Sequence, residues 1–363
     1  MDYGESEEGL TVTTSEFIRL QLSDLPDCFQ SMILPSQETL FFQTQEFLST
    51  WGNVYLNNEC KAYLWAHKKN DQITHIFPYY IKKVQNFGIS IRELSLICDL
   101  NVGANYLRPM IGPFDLQILN SFLKQSSKDW DILRFDKLDA KSTSELGALK
   151  SSRRFLNTHI STSCPIIKNI SLLDSFLARL APRKNKKFTQ ILKKFRNQSE
   201  LEFHIMNGEE ALAIFPRLVE ISMERFTKKK IDGPFLNERF TQFHQTLLPQ
   251  LSDRIEFGVL KSLGQVQAFH YCYRQSGQLW YYQGGFNSTC EQFSPGVLLS
   301  LLMIEDSCRR YGMIDYDFLE GQEPYKYDFT DQENFLHEVV YAQKKFWVLL
   351  LKTHSFLKKY LPK

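Results

Sequence analysis

The feature that most constrains this chain is an internal repeat. A β-hairpin, a third strand, a helix and a closing strand occur twice. In the first half, Lys61 to Lys68 and Gln72 to Val84 read as strands joined at Lys69-Asn70-Asp71, followed by a third strand, Ile89 to Ile97. A helix over Asp115 to Ser126 then leads to a short buried strand, Trp130 to Phe135. In the second half, Ile255 to Leu260 and Gln265 to Tyr273 are strands that turn at Gly264, and Gln278 to Gly284 is the third. A strong helix runs from about Pro295 to Tyr311, and Ile314 to Leu319 closes the copy. Gln72 aligns with Gln265 and Asp136-Lys137-Leu138 with Asp317-Phe318-Leu319, so the copies are offset by roughly half the chain. A period this long is the mark of a repeated folding unit. It predicts an α/β (α+β) architecture of two related halves.

The repeat sets the expected organisation. Residues 1–14 are a disordered tail, 15–165 a first domain and 166–363 a second, with a helical insertion over 172–250. A helix over Phe41 to Val54, with Phe42, Phe47, Leu48 and Trp51 at helical spacing, precedes the first copy. Within the insertion, Leu172 to Leu180 and Phe188 to Asn197 read as helices, and Arg183 to Arg196 holds seven basic residues and no acidic one. Glu209 to Phe226 and Leu236 to Leu248 form a second helical pair, with Leu212, Phe215, Leu218, Val219 and Met223 on one face.

Composition excludes several classes. The 29 Phe, 16 Tyr and 5 Trp, in a chain that is 43% hydrophobic, rule out a disordered polymer. Forty-three Lys and Arg against 41 Asp and Glu leave a net charge of +2, too little for a protein that coats nucleic acid. Seven scattered cysteines without a C-x-x-C pair read as reduced thiols. The acidic start Met1-Asp2-Tyr3-Gly4-Glu5 does not read as a secretory signal, and the longest apolar run, Phe346 to Leu351, is far short of the ~20 residues that span a bilayer. A cytoplasmic protein without a transmembrane segment is expected. The stretch Lys344 to Lys359 is expected to pack against the second domain.

Familiar catalytic signatures are missing: no phosphate loop of the G-x-x-x-x-G-K-[ST] type, no G-x-G-x-x-G, no H-E-x-x-H and no G-x-S-x-G. The eight histidines, among them His75, His204, His270 and His337, show no metal spacing, so they are expected to be packed or surface imidazoles and no metal is expected.

The most informative stretch is Phe293-Ser294-Pro295-Gly296-Val297. Ser294 suits an N-cap and Pro295 the first helical position, where its missing N–H costs nothing. Gly296 keeps the first turn bare, and a bare helix start offers N–H groups and the positive dipole end to a phosphate or pyrophosphate. The helix stops at Gly312, after Arg309 and Arg310. Downstream, Asp317-Phe318-Leu319-Glu320-Gly321 ends a strand, and Tyr325-Lys326 follows, where a lysine can neutralise an oxyanion or a substrate phosphate.

These elements occur together in one group. Trp51 after an aromatic helix, the basic run from Lys184 to Arg196, Gln265-Val266-Gln267-Ala268, Ser294-Pro295-Gly296 and Asp317-Phe318-Leu319-x-Gly321-x-x-x-Tyr325-Lys326 stand in the same order in acetyltransferases of the CelD type. The chain resembles that group, which is related to the Fem peptidoglycan-bridge transferases and belongs to the GNAT superfamily. The resemblance runs from about residue 40 and is sharpest over 255–330. It implies a tandem pair of GNAT-like domains, each a mixed, mostly antiparallel sheet flanked by helices, with acetyl-CoA or another acyl-CoA held by the second. The implied reaction moves an acyl group to an amine of a small molecule, glycan or peptide. In the Fem relatives the donor is an aminoacyl-tRNA, and a pair that binds without catalysing is a third reading. The phosphate loop departs from the common GNAT pattern, because Gln292 is followed by Phe293, Ser294, Pro295, Gly296 and Val297, with one glycine.

Chemistry assigns expected roles. Gly284 and Gly285 lie on the strand whose backbone N–H groups would hold the thioester carbonyl, and Ser294, Pro295, Gly296 and Val297 would bind the donor phosphates. Lys326, with its neighbour Tyr325, would offset developing charge, and Asp317, Glu320 or Glu323 would accept the amine proton. Arg183 to Arg196 is a candidate surface for nucleic acid or for a donor phosphate. The first copy, with Gly112-Pro113-Phe114 in place of Ser294-Pro295-Gly296, is expected to be degenerate, Phe114 crowding its helix start.

Overall fold

The computed structural model describes residues 15–32, 41–86, 88–99, 102–150, 154–230 and 233–351, so the expected tail at 1–14 lies outside them. Before the first copy come β1 (Ser15–Leu20), α1 (Leu25–Ser31) and α2 (Gln45–Tyr55). The first copy consists of β2 (Cys60–Lys69), β3 (Gln72–Asn86), β4 (Ile89–Leu96), α3 (Leu116–Gln125) and β5 (Ile132–Leu138), and α4 (Ala140–Gly147) and β6 (Phe155–Ile170) follow. The insertion holds α5 (Leu173–Arg179), α6 (Pro182–Arg196), β7 (Glu202–Met206), α7 (Gly208–Lys229) and α8 (Glu238–Leu247). The second copy consists of β8 (Ile255–Ser262), β9 (Gln265–Gln275), β10 (Gln278–Phe286), α9 (Pro295–Tyr311) and β11 (Ile314–Asp317), with α10 (Lys326–Phe329) and β12 (Glu333–Ala342) after it.

All the described strands join one mixed sheet in the order β1-β2-β3-β4-β5-β12-β6-β11-β10-β9-β8-β7. Two neighbouring pairs are parallel, β4 with β5 and β10 with β11. Each is joined by a crossover helix, α3 or α9, as a parallel connection requires. The final strands of the two halves are exchanged. β6 pairs with β11 of the second half, β12 pairs with β5 of the first, and the two lie antiparallel along Phe155–Pro165 and Glu333–Ala342. Neither copy's sheet is therefore completed by its own last strand.

One core cluster runs across both halves. Phe41 and Phe42, at the entrance to α2, sit with ring centroids 4.4 and 5.8 Å from Tyr273 of β9. A second cluster lies between the opposite sheet face and α5, α6 and α9, where Val297, Leu301, Ile304 and Cys308 of α9 are buried. The exchange also corrects one expectation. Trp347 and Val348 pack with Ile91, Ile132 and Phe155, on the first half and not the second, because β12 delivers the chain beside β5. Phe356 and Leu357 lie outside the described residues.

Candidate active site

The site originates in a strand pair that separates. β10 and β11 are parallel neighbours only over Gln278–Trp280 and Asp315–Asp317. β10 then continues to Phe286 through a bulge between Tyr281 and Gln283, while the chain beyond Asp317 turns away through Leu319 (φ 52°) and Gly321 (φ 128°). The edge of β10 from Tyr281 to Phe286 is left facing a cleft of about 230 Å³. Tyr281, Gly284, Gly285 and Phe286 line one side, Glu291 and Ser294 to Val297 the mouth, and Phe269, His270, Leu299, Arg225 and Tyr325 the remaining wall. A side chain at Gly285 would strike the Phe269 ring at 2.7 Å, so the close approach of β10 to β9 requires glycine there.

At the mouth, Ser294 stands at the N-cap position of α9, but in left-handed backbone (φ 50°, ψ 61°) and without a side-chain cap. The expectation that its hydroxyl caps the helix is corrected: a capping oxygen needs an extended backbone at that residue to reach the N2 or N3 amide. The N–H groups of Gly296 and Val297 thus have neither an intrahelical acceptor nor a serine cap. A Cβ built on Gly296 would meet nothing within 4 Å. The first half differs. There the Asp115 carboxylate accepts the N–H groups of Gln117 (2.8 Å) and Ile118 (3.0 Å), placing its own negative charge on the start of α3. Asp115 closes that helix start.

Six residues expected to bind the donor, Gly284, Gly285, Ser294, Pro295, Gly296 and Val297, line the one cleft, and so does Tyr325. The Tyr325 and Tyr281 side chains stand close enough that each hydroxyl perturbs the other's ionisation. Burial pushes Tyr281 up to about 12 and Tyr325 well above the usual phenol value, so both remain protonated donors at neutral pH. Lys326 and Asp317 are outside the lining. The Lys326 ammonium is buried and donates to the carbonyls of Phe318 (3.2 Å) and Glu320 (3.1 Å) while pairing with Glu323 at 2.9 Å, so it ties the 318–323 loop together. Asp317 accepts the Tyr106 hydroxyl (2.5 Å) and the Leu319 N–H (2.7 Å), and burial pushes its carboxyl up to about 7. Glu320 pairs with Lys137 of the first half.

Sequence reasoning missed Arg225 and undervalued His270. Arg225 lies on α7, over the Phe286 ring at 4.5 Å. His270 is buried beside Tyr281, ring centroids 4.2 Å apart. The basic helix α6 packs near the mouth, and four of its seven cations are engaged locally. Lys184 and Lys187 pair with Asp331 and Asp328, Arg196 pairs with Glu305, and Lys194 donates to the Gln292 carbonyl. Among the described residues, no cluster of three His, Cys, Asp or Glu side chains could hold a metal ion, and no helix is long and apolar enough to cross a membrane.

Known proteins bear on this geometry. A family model described as an acetyltransferase (GNAT) domain matches residues 182–327, which include α6 to α9 and Tyr325. Residues 182–327 are thus similar to GNAT-type acetyltransferase domains. Similar folds extend beyond those residues, over most of the chain. FemX is 12% identical, with a TM-score of 0.57 over 93% of this chain and 99% of that one. A conserved protein of unknown function from Bacteroides thetaiotaomicron VPI-5482 is 13% identical, with a TM-score of 0.56 over 91% and 100%. L-PGS from Bacillus licheniformis is 14% identical, with a TM-score of 0.53 over 84% and 91%. No curated protein matches the chain. The matched residues carry the separated strands and the uncapped helix start, on a fold similar to that of GNAT acyltransferases.

Proposed function

We propose that the chain is an acyl-CoA-dependent N-acyltransferase whose donor occupies the cleft of the second half. One observation carries this reading: an unpaired strand edge and an uncapped helix start share one cleft. A pantetheine arm is an extended chain with amides that can pair with a strand edge, and it ends in a pyrophosphate that suits free helix N–H groups. In this reading Gly296 and Val297 hold the pyrophosphate and the Tyr281–Gly285 edge aligns the arm. The thioester then lies toward the apex end of that edge, by the bulge between Tyr281 and Gln283 and next to Gly284.

The chemistry asks for three services. The N–H groups of β10 hold the thioester carbonyl as it gains negative charge. As the amine nitrogen bonds to that carbon and the C–S bond breaks, the Tyr325 hydroxyl supplies a proton to the departing sulfur. The amine's proton passes to water in the cleft, because neither Asp317 nor its partner Tyr106 lines it. Lys326 acts as a positioning residue, holding the loop that carries Tyr325. The acceptor is an amine of a small molecule, glycan or peptide. The test is a thermal-shift titration with coenzyme A and acetyl-CoA, since a ligand of the native state raises the midpoint by mass action. Binding by the wild type with loss in Gly296→Glu supports the reading, and no shift at millimolar ligand refutes it.

The FemX-like fold favours a second reading, in which the donor is an aminoacyl-tRNA and the acceptor a cell-wall precursor. The local pairing of α6 weighs against it, because it leaves Arg183, Lys186 and Lys193 as the cations of that helix not tied by the contacts described above. Charged tRNA binding that weakens steeply with salt would establish the second reading.

A further inference from the structure

His270 is 1% exposed, and neither of its ring nitrogens has a hydrogen-bond partner. Buried polar side chains are paired in the great majority of cases, and an orphan in a cavity wall marks a place where another molecule completes the pairing. The strand register shows how a ligand reaches it. His270 of β9 stands directly opposite Gly284 of β10. A Cβ at position 284 would lie 3.1 Å from His270 Cδ2 and 2.5 Å from Tyr281 Oη. Glycine therefore leaves the space beside the imidazole to the Tyr281 hydroxyl, a mobile side chain of the cleft wall that a ligand displaces to reach the ring. His270 and Gly284 both line the cleft, together with Tyr281 and Tyr325.

We infer that His270 is a ligand-binding residue which hydrogen-bonds a polar atom of the donor's acyl group, so that the cleft selects a hydroxyl- or amide-bearing acyl group over an alkyl chain. This rests on the acyl-CoA reading above, which puts the acyl group at the apex. Burial, reinforced by the Arg225 charge, lowers the imidazole to about 3, and it is neutral at physiological pH. A neutral ring offers one donor and one acceptor, and with neither nitrogen engaged by the protein its tautomer is free to suit the ligand. An alkyl chain at that depth would leave both nitrogens unsatisfied. Apolar walls alone discriminate weakly between a hydroxyl and its absence, whereas a buried hydrogen-bonding group does so strongly.

The experiment compares the near-isosteric pair 3-hydroxybutyryl-CoA and 3-methylbutyryl-CoA, with coenzyme A as reference, by calorimetry on wild type, His270→Phe and His270→Gln. Wild type is expected to bind the hydroxyacyl form about tenfold or more tightly, His270→Phe to lose that preference and His270→Gln to recover part of it. Coenzyme A itself should bind wild type and His270→Phe alike. In the ligand-free state His270→Phe should melt no lower than wild type, because it replaces an unsatisfied polar group with an apolar ring. Equal affinities in wild type, a preference retained by His270→Phe, or a ligand-free midpoint that falls by several degrees in both variants would overturn the inference. Failure of coenzyme A to bind wild type refutes the donor reading instead, and the ligand-free comparison then still decides whether the imidazole is a packing residue.

Discussion

Replacing Gly296 by Glu copies into the second half what Asp115 already does in the first. The Cβ at 296 meets no atom within 4 Å, and the residue lies in ordinary helical backbone, so the substitution has room. A glutamate in the first turn gains about 0.8 kcal/mol of helix propensity over glycine and about 0.3–1 kcal/mol from the helix dipole. Unfolding entropy of about 2.1 cal/mol/K per residue converts this, for a chain of this length, into a midpoint rise of about 1–2 °C. The donor suffers the opposite effect. A carboxylate about 5 Å from a phosphate, at an effective dielectric of about 20, repels it by about 3 kcal/mol, or roughly 100-fold in Kd. Calorimetric titration of coenzyme A and a thermal melt check the two halves of this expectation. Undiminished affinity in Gly296→Glu would refute the phosphate site, and a midpoint several degrees lower would refute the claim that the helix start is open.

Other expectations follow from single residues. Ser294→Gly removes a left-handed non-glycine residue whose hydroxyl makes no cap, so the melting midpoint should rise by about 1 °C with donor affinity unchanged. Lys326→Met should cost about 2–4 kcal/mol and lower the midpoint by about 3–5 °C, since it strands two carbonyls and Glu323, whereas Tyr325→Phe should melt normally and lose at least about tenfold in turnover. Asp99 and Asp317 are both raised by burial to about 7 from 3.8, so the folded state holds their protons more tightly than the unfolded. Their contribution is intact below about pH 4 and is lost as pH rises toward 7. Urea midpoints between pH 4.5 and 8 should therefore show a shallower loss in Asp317→Asn than in wild type, and an unchanged slope would contradict the burial argument.

The repeat was legible because each copy carries its own hairpin turn, alternating strands and crossover helix. The helix expected over Pro295 to Tyr311 has those bounds in the structure. The exchanged strands were not legible. β6 contains His159, Ser161, Thr162, Ser163 and Pro165 and exposes much of its first half, so it lacks a clean two-residue alternation and becomes a strand through its partners β12 and β11. No local pattern reports which half a closing strand joins. The edge strands β1 and β7 are short and half-exposed for a similar reason. Around the site, the sequence marked the helix start and the residues after β11, but not where Lys326 points, which depends on the turn at Gly321. His270 sits in the apolar run Phe269-His270-Tyr271-Cys272 and reads as core until its register with Gly284 is known. Asp115 did carry a signal, an aspartate immediately before a helix, and a capping argument applied there would have identified the closed helix start.

The central claim is that one half of the repeat binds an acyl-CoA and the other cannot. Calorimetric titration of acetyl-CoA into the wild-type chain tests it most directly. The account predicts a single class of site with one ligand per chain, lost in Gly296→Glu. Two ligands per chain, or no heat of binding at millimolar acetyl-CoA, would contradict it.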